Sequence, residues 1–238
     1  MFAAITPYAG SQPFNDWFDP DTTQRHPLGT VIPAVDPYWG WGEFLYVRSN
    51  DAILKGSLVI WTEAYLGTLL PNTAGQGFPF GVAMTPLPSG EYGWLQISGL
   101  AVYKTNATVA ADTAVGITAA GICGTLAAGK QLLNNRNRRA ATATITLAAS
   151  TQNGSMVLYC PNGYDGVFLG MALSGTGIPA STVAAALDPD GKRIYTGSAI
   201  GTTGDKNATA TGNITMTGTY TGFGAGQISR PFAQGQIL

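Results

Sequence analysis

Glycine and proline punctuate this chain so often that no long helix can run through it. The 238 residues include 32 Gly and 14 Pro. Between them lie short runs rich in Val, Ile, Thr, Phe, Tyr and Trp. Inside a helix glycine costs about 1 kcal/mol and proline about 3 kcal/mol relative to alanine. Short β-branched and aromatic runs bounded by turn residues have the character of strands. The fold class expected is therefore all-β. Hydrophobic residues make up 45% of the chain, enough for a core, while charged residues are only 11%, against roughly 25% in ordinary soluble domains. A surface so poor in charge is expected to be covered by partners, and the chain is read as part of an assembly. A net charge of -1 argues against a nucleic-acid partner held by electrostatics.

No apolar run approaches the ~18 residues of a membrane-spanning helix, so no membrane partner is expected. Met1 to Pro7 lack the basic start and long apolar stretch of a secretory leader, so folding in a cytoplasm is expected. Cys123 and Cys160 are too few for a disulfide or metal framework and are read as buried thiols. The glycosylation-type triplets at Asn106, Asn153, Asn207 and Asn213 are read as coincidences of a Thr- and Asn-rich text.

Three compositional zones follow one another. Residues 1–41 are rich in proline and aromatics without strand or helix periodicity, and are expected to form an arm that lies across the next domain or docks on a neighbour. Residues 42–139 carry strand signals at 43–48, 57–62 and 80–84, and above all at 93–103. There Leu95, Ile97, Ala101 and Tyr103 share one face and Gly99 marks a bulge or bend. All five Trp lie at or before Trp94, so the heavy core is assigned to this half. After Arg136-Asn137-Arg138-Arg139 the text turns to Thr, Ala and Gly. Residues 140–220 alternate at 141–147 and again at 209–217, with shorter strand runs between them separated by turns. That pattern predicts a small β-sandwich whose first and last strands show Thr to water. Residues 221–238 read as a Gly-rich tail.

Several patterns imitate chemical motifs and fail on inspection. Gly124 to Gln131 follows a phosphate-binding loop until Gln131 stands where a Mg²⁺-holding hydroxyl is needed. Gly175 to Ala180 imitates a dinucleotide fingerprint, but Pro179 occupies the helix start. Asp188-Pro189-Asp190-Gly191 opens like a calcium loop, yet Ala199 falls where the bidentate acid belongs. All three are read as turns. His26, the single histidine, excludes a multi-histidine metal site and is read as structural, beside a proline turn. Glu43, Glu63 and Glu91 offer no convincing pair for glycoside hydrolysis. Asp16, Asp19 and Asp21, beside Trp17 and Phe18, could line a sugar cleft but read more simply as turn residues. No catalytic residue, metal site or cofactor is expected, and the chain is read as no enzyme. Arg136, Arg138 and Arg139 form a basic spot sufficient for one acidic neighbour.

Four segments carry a resemblance. Thr23-Gln24-Arg25-His26-Pro27-Leu28-Gly29-Thr30, Gly42 to Val47, Gly81 to Met84 and Gly93 to Ala101 resemble head decoration, or cement, proteins of tailed bacteriophages, over roughly residues 20–135. Val167 to Val183 separately resembles the small immunoglobulin-like modules found in phage structural proteins. The resemblance implies a jelly-roll or β-barrel-like base domain on a capsid, plus an outward immunoglobulin-like β-sandwich. It implies a virion protein on the outer capsid surface, with the major capsid protein of the same phage as partner and a homo-oligomer, dimer or trimer. Interface hot spots favour Trp, Tyr and Arg, so Phe14, Trp17, Phe18, Arg25, Trp39 and Trp41 are the expected capsid or subunit contacts. A virion-surface glycan-binding adhesin is the alternative reading, with aromatic rings flanked by Asp and Asn stacking on sugars.

Overall fold

The computed structural model describes residues 3–4, 20–36, 40–106, 109–168, 170–188, 190–198 and 206–234. Among them are seventeen strands and no helix, so the chain is all-β. It divides into two compact units. One is built from residues 2–142 together with 222–238, and the other is the intervening segment 143–221. The second unit is thus an insertion between two strands of the first.

The base unit contains β1 (Ala3–Ala4), β2 (Val31–Asp36), β3 (Gly40–Ser49), β4 (Leu58–Trp61), β5 (Leu66–Leu69), β6 (Phe80–Ala83), β7 (Tyr92–Lys104), β8 (Gly116–Ala119), β9 (Ile122–Gly124), β10 (Leu132–Arg139) and β17 (Phe223–Ala233). Its pairings β3–β5–β4–β6–β7 return to β3 and close a ring. Only β3–β5 is parallel, at Arg48↔Leu66 and Ser49↔Gly67. Leu45, Val47, Ile53, Val59, Ala83, Leu87, Leu95 and Ile97 form one buried cluster within this part of the unit. Apolar residues on both sides of β4 and β6 are buried, which is why their sequences read as continuous apolar runs.

β7 is the shared strand. Leu95 and Gln96 pair with β3 and β6 at once. From Ser98 to Lys104 its partner is β17. The handover falls at the glycine where a bend was expected. Gly99 has φ +99°, and a β-carbon there would collide with the Trp41 carbonyl oxygen. The β3–β7 register slips at the same place, between Glu43 and Phe44. Beyond the bend, β1-β2-β3-β7-β17-β10 is an open antiparallel sheet. One face covers Ile32, Ala34 and Phe44 near β2 and β3, and Ala101, Tyr103 and Ile228 farther along.

Two expectations are corrected. Residues 31–36, assigned to an arm, are strand β2, paired residue for residue with β3 from Val31↔Leu45 to Asp36↔Gly40. Pro33 hid the strand. It lies near the edge of the sheet, where a missing N–H is tolerated. Likewise, within the segment read as a Gly-rich tail, Phe223–Ala233 is β17, which sits between β7 and β10; residues 235–238 lie outside the described residues. Its glycines make room instead of conferring looseness. A β-carbon at Gly226 would collide with the Tyr103 hydroxyl, and one at Gly224 would lie 2.6 Å from Asn137 Oδ1. The Tyr103 hydroxyl donates to Asn137 Oδ1 at 3.1 Å, and Asn137 Nδ2 donates to the carbonyls of Ala110 and Arg139, each at 2.6 Å. This buried polar network also explains how β10, spelled LLNNRNRR, can be a strand: its buried positions include Asn135 and Asn137.

The inserted unit holds β11 (Thr142–Thr151), β12 (Val157–Tyr159), β13 (Ala172–Ser174), β14 (Thr182–Leu187), β15 (Arg193–Gly197) and β16 (Gly212–Thr221). The small β-sandwich expected here is realised in closed form, as a six-stranded barrel in the order β11-β12-β15-β14-β13-β16. Leu158, Met171, Leu173, Ala184, Ile194 and Met216 are buried, and Phe168 meets Tyr220 edge-on at 5.4 Å. Thr142, Thr144, Thr146 and Thr215 are exposed, as the alternation predicts.

The insertion leaves the base and returns at adjacent points, where Gly222 N–H donates to the Ala141 carbonyl at 2.9 Å. Replacing residues 143–221 with an Asn-Gly turn should leave a folded base, read as a single cooperative thermal transition with β-type circular dichroism. Gly99→Ala should cost about 2–4 kcal/mol in denaturant unfolding, because a strained φ and a backbone collision add.

Candidate interaction surface

The residues around the Thr23–Thr30 motif form a strap over β3 and β7. Asp21 and Tyr92 exchange backbone hydrogen bonds at 2.8 and 2.9 Å. The Tyr46 hydroxyl donates to Asp21 Oδ2 at 2.6 Å, and Arg25 Nε lies 2.9 Å from Asp21 Oδ1. The His26 ring packs 5.1 Å from Tyr46 and 5.2 Å from Trp94. Leu28 packs on the cluster of Ile32, Ala34, Phe44, Tyr46 and Trp94. Gly29, at φ +83°, passes so close to the Tyr65 ring that a β-carbon would collide with it. The motif is therefore a clasp, and His26 is structural. Burial and the Asp21 carboxylate raise the Tyr46 pKa, while burial lowers that of His26.

The opposite face of β3 is open at its first residues, before Leu45 and Val47 enter the ring cluster. Trp41 is 47% exposed and Val35, its register partner on β2, is 43% exposed, with Val31 on the same side of β2. Glu43 follows two residues after Trp41. Arg230 of β17 reaches it with Nε at 3.2 Å from Oε2 and Nη2 at 3.3 Å from Oε1, a fork-on-fork pair. Arg230 has φ +43°, at the irregular stretch of the β10–β17 ladder between Leu133↔Phe232 and Asn135↔Ile228. From Glu43 the same side continues through Ser98 and Ser229, then through Leu100, Gln227 and Arg136, which stand in register across β7, β17 and β10. Side chains opposite one another in a ladder point the same way, so this is one continuous sheet face.

Of the expected contact residues, Trp41 lies on this face. Arg25 does not: it is tied to Asp21, on the Tyr46 side of β3. Phe14, Trp17, Phe18 and Trp39 lie outside the described residues. Sequence reasoning passed over Val31, Val35 and Arg230. Val31 and Val35 alternate with buried Ile32 and Ala34, a period-2 signal interrupted by Pro33, whereas no local signal links Arg230 to Glu43 across 187 positions.

The motif imitations fold as turns. Lys130 is turned onto Asn72 Oδ1 at 3.2 Å. Ile178 N–H closes on the Gly175 carbonyl at 3.0 Å. Asp188 Oδ1 accepts from the Asp190 N–H at 3.1 Å, and Arg193 stands 3.5 Å from Asp188 Oδ2. Among the described residues no group of three His, Cys, Asp or Glu side chains could hold a metal ion. Cys123 and Cys160 are free and buried. Burial pushes their thiols up to about 12 and about 11, so neither presents a thiolate at neutral pH.

Tyr46→Phe should cost about 1–3 kcal/mol, because the buried Asp21 carboxylate loses a donor, measured by urea unfolding. His26 binds its proton less readily folded than unfolded, so the unfolded chain holds more protons as the pH drops. Stability should accordingly fall as the pH drops below the ordinary histidine value of 6.5. His26→Gln should flatten that part of a melting-temperature profile.

Comparison of the chain with protein-family models, with curated protein sequences and with solved structures returned no match.

Proposed function

We propose that this chain is a structural virion protein that binds the outside of a tailed-phage capsid and cements neighbouring major capsid subunits in the expanded head. The observation that carries the reading is the open sheet face of the base unit, on which the exposed Trp41 stands beside Val35 and the Glu43–Arg230 pair. A large aromatic left in water next to aliphatic neighbours and an ordered guanidinium has the composition of an interface hot spot. Two further points support it. The four segments that resemble decoration proteins fall on the strap, β3, β6 and β7, the framework that presents this face. The scarcity of charge, 11% of residues, suits a surface made to be covered.

The mechanical role follows from simple energetics. An expanded shell holds a packaged genome under pressure, and each bound copy adds contact area that must be broken before subunits separate. A contact of roughly 1,600 Å² is ordinary for specific recognition. Engagement of two neighbouring subunits by one copy, or by an oligomer of this chain, raises the effective concentration at the second site and multiplies the hold without new chemistry.

The test is co-sedimentation of the purified protein with expanded capsid shells that lack it, with unexpanded shells in parallel. Saturable binding at a fixed number of copies per capsid subunit, confined to expanded shells, is expected. Trp41→Ala should weaken it by about 30-fold, the ~2 kcal/mol of a hot-spot aromatic, with circular dichroism unchanged. Failure of the folded protein to bind expanded shells overturns the reading.

A further inference from the structure

We infer that the β10 end of this sheet face receives an extended acidic segment of the capsid subunit, with carboxylates at alternate positions. The inference rests on the capsid-binding reading and names what the subunit presents.

The charge inventory of the face carries it. Leu100, Val102 and Lys104 alternate along the outward side of β7. Gln227 and Ser229 are exposed on β17, and Arg136 and Arg138 are exposed on β10. Lys104, Arg136, Arg138, Arg139 and Arg230 are the cations, Arg139 standing opposite Ala225 in the β10–β17 ladder. Against them stand two carboxylates: Glu43, already engaged by Arg230, and Asp112, in the loop beside β10. The chain as a whole has net charge -1, so positive charge is concentrated here while the remainder is net negative.

Asp112 serves two guanidinium groups. Arg138 Nη1 stands 2.9 Å from its Oδ1, and Arg136 Nη2 donates to its backbone carbonyl at 2.6 Å. Each guanidinium has five N–H donors, and the Arg138 side chain is 50% exposed. The loop therefore holds both groups in place while leaving donors for a second acceptor. Held guanidinium groups lose less freedom on binding than loose ones. Arg136 and Arg138 stand two residues apart on β10, Arg138 at the register shift between Asn137 and Arg139, and both reach the same Asp112 loop. Alternate side chains of an extended partner, ~7 Å apart, can meet such a pair.

The strip beside the cations favours a protein over a nucleic acid. Leu100 and Val102, both half-buried, lie between the arginines and Trp41, and an aliphatic floor suits side chains better than phosphates. Sequence-independent binding to DNA rests on many phosphate contacts, more than this cation set can make.

Binding to expanded shells should be measured from about 50 mM to about 300 mM salt, a range over which screening shortens markedly. The wild type, Arg136→Glu/Arg138→Glu, Arg136→Gln/Arg138→Gln and Trp41→Ala are compared, with folding checked by thermal melts. The wild type should weaken with salt. The Glu double variant should bind at least 10-fold more weakly at low salt, the Gln variant should fall between, and both should lose most of the salt dependence. Trp41→Ala should keep the wild-type salt slope. Folded Arg variants that bind like the wild type with the same slope overturn the inference and leave capsid binding intact. If the wild type ignores shells altogether, the capsid reading falls. Poly-L-glutamate and single-stranded DNA, used as probes on an immobilised base face, then decide the chemistry alone. Arginine-dependent retention of polyglutamate supports an acidic polypeptide ligand, and preference for DNA overturns it.

Discussion

A single strand, β7, joins the ring to the open sheet, and it can do so because residue 99 has no side chain. Along its first half β7 is held between β3 and β6. From Ser98 onward β17 takes the place of β6. The strand must bend there while β3 remains alongside, and the Trp41 backbone lies too close for any β-carbon. The consequence reaches the surface. Trp41, Glu43 and Leu45 point to the same side of β3. Leu45 is sealed in the ring cluster, whereas Trp41 and Glu43 fall beyond it and emerge on the open face. A constraint on one backbone angle thus decides where the largest exposed aromatic among the described residues stands.

Polar groups inside the base fix the register that apolar packing alone would leave loose. The Tyr103 hydroxyl needs an acceptor and a neighbour without a β-carbon. Asn137 supplies the first and Gly226 the second. A slip of β17 by one residue would press Ala225 or Gln227 against the ring and turn every side chain of the strand to the wrong face. Gln96 does a similar service at the bend. Buried in β7, its Nε2 donates to the Ser98 and Leu100 carbonyls at 3.1 and 3.3 Å, where the ladder itself is irregular. At the other side of β3, the Asp21–Tyr46 bond holds the strap by a buried charge that would be costly to leave unpaired.

Much of this was legible in the residues. The all-β class, the long strand at 93–103, the bend at Gly99 and the turns that imitate nucleotide and calcium motifs follow from local chemistry: strand-length runs, glycine's freedom at positive φ, and missing ligands. What escaped were strands whose local text contradicts their environment. Pro33 masks β2, buried asparagines disguise β10, and glycines make β17 resemble a tail. In each case the reason lies on a neighbouring strand distant in sequence, most plainly Tyr103 for the glycines of β17. Trp41 could be nominated as a candidate contact from its type, and it is exposed. Its companions Val35 and Arg230 could not, because register and a long-range ion pair bring them together.

The edges of the sheet bear on what the face can recognise. A sheet with open edges invites pairing with any other strand. Here β10 is shielded by the 113–117 segment, through Leu132 N–H to the Val115 carbonyl and Asn137 N–H to the Thr113 carbonyl, each at 3.0 Å. At the other side β1 covers Ala34 and Val35, and Pro33 brings no N–H of its own. Backbone pairing reads no sequence. With it discouraged at both edges, the partner proposed above would have to be recognised by the side chains of the face: one tryptophan, an ordered Glu–Arg pair and a cationic end. On that reading, protection of the edges is what makes the face selective.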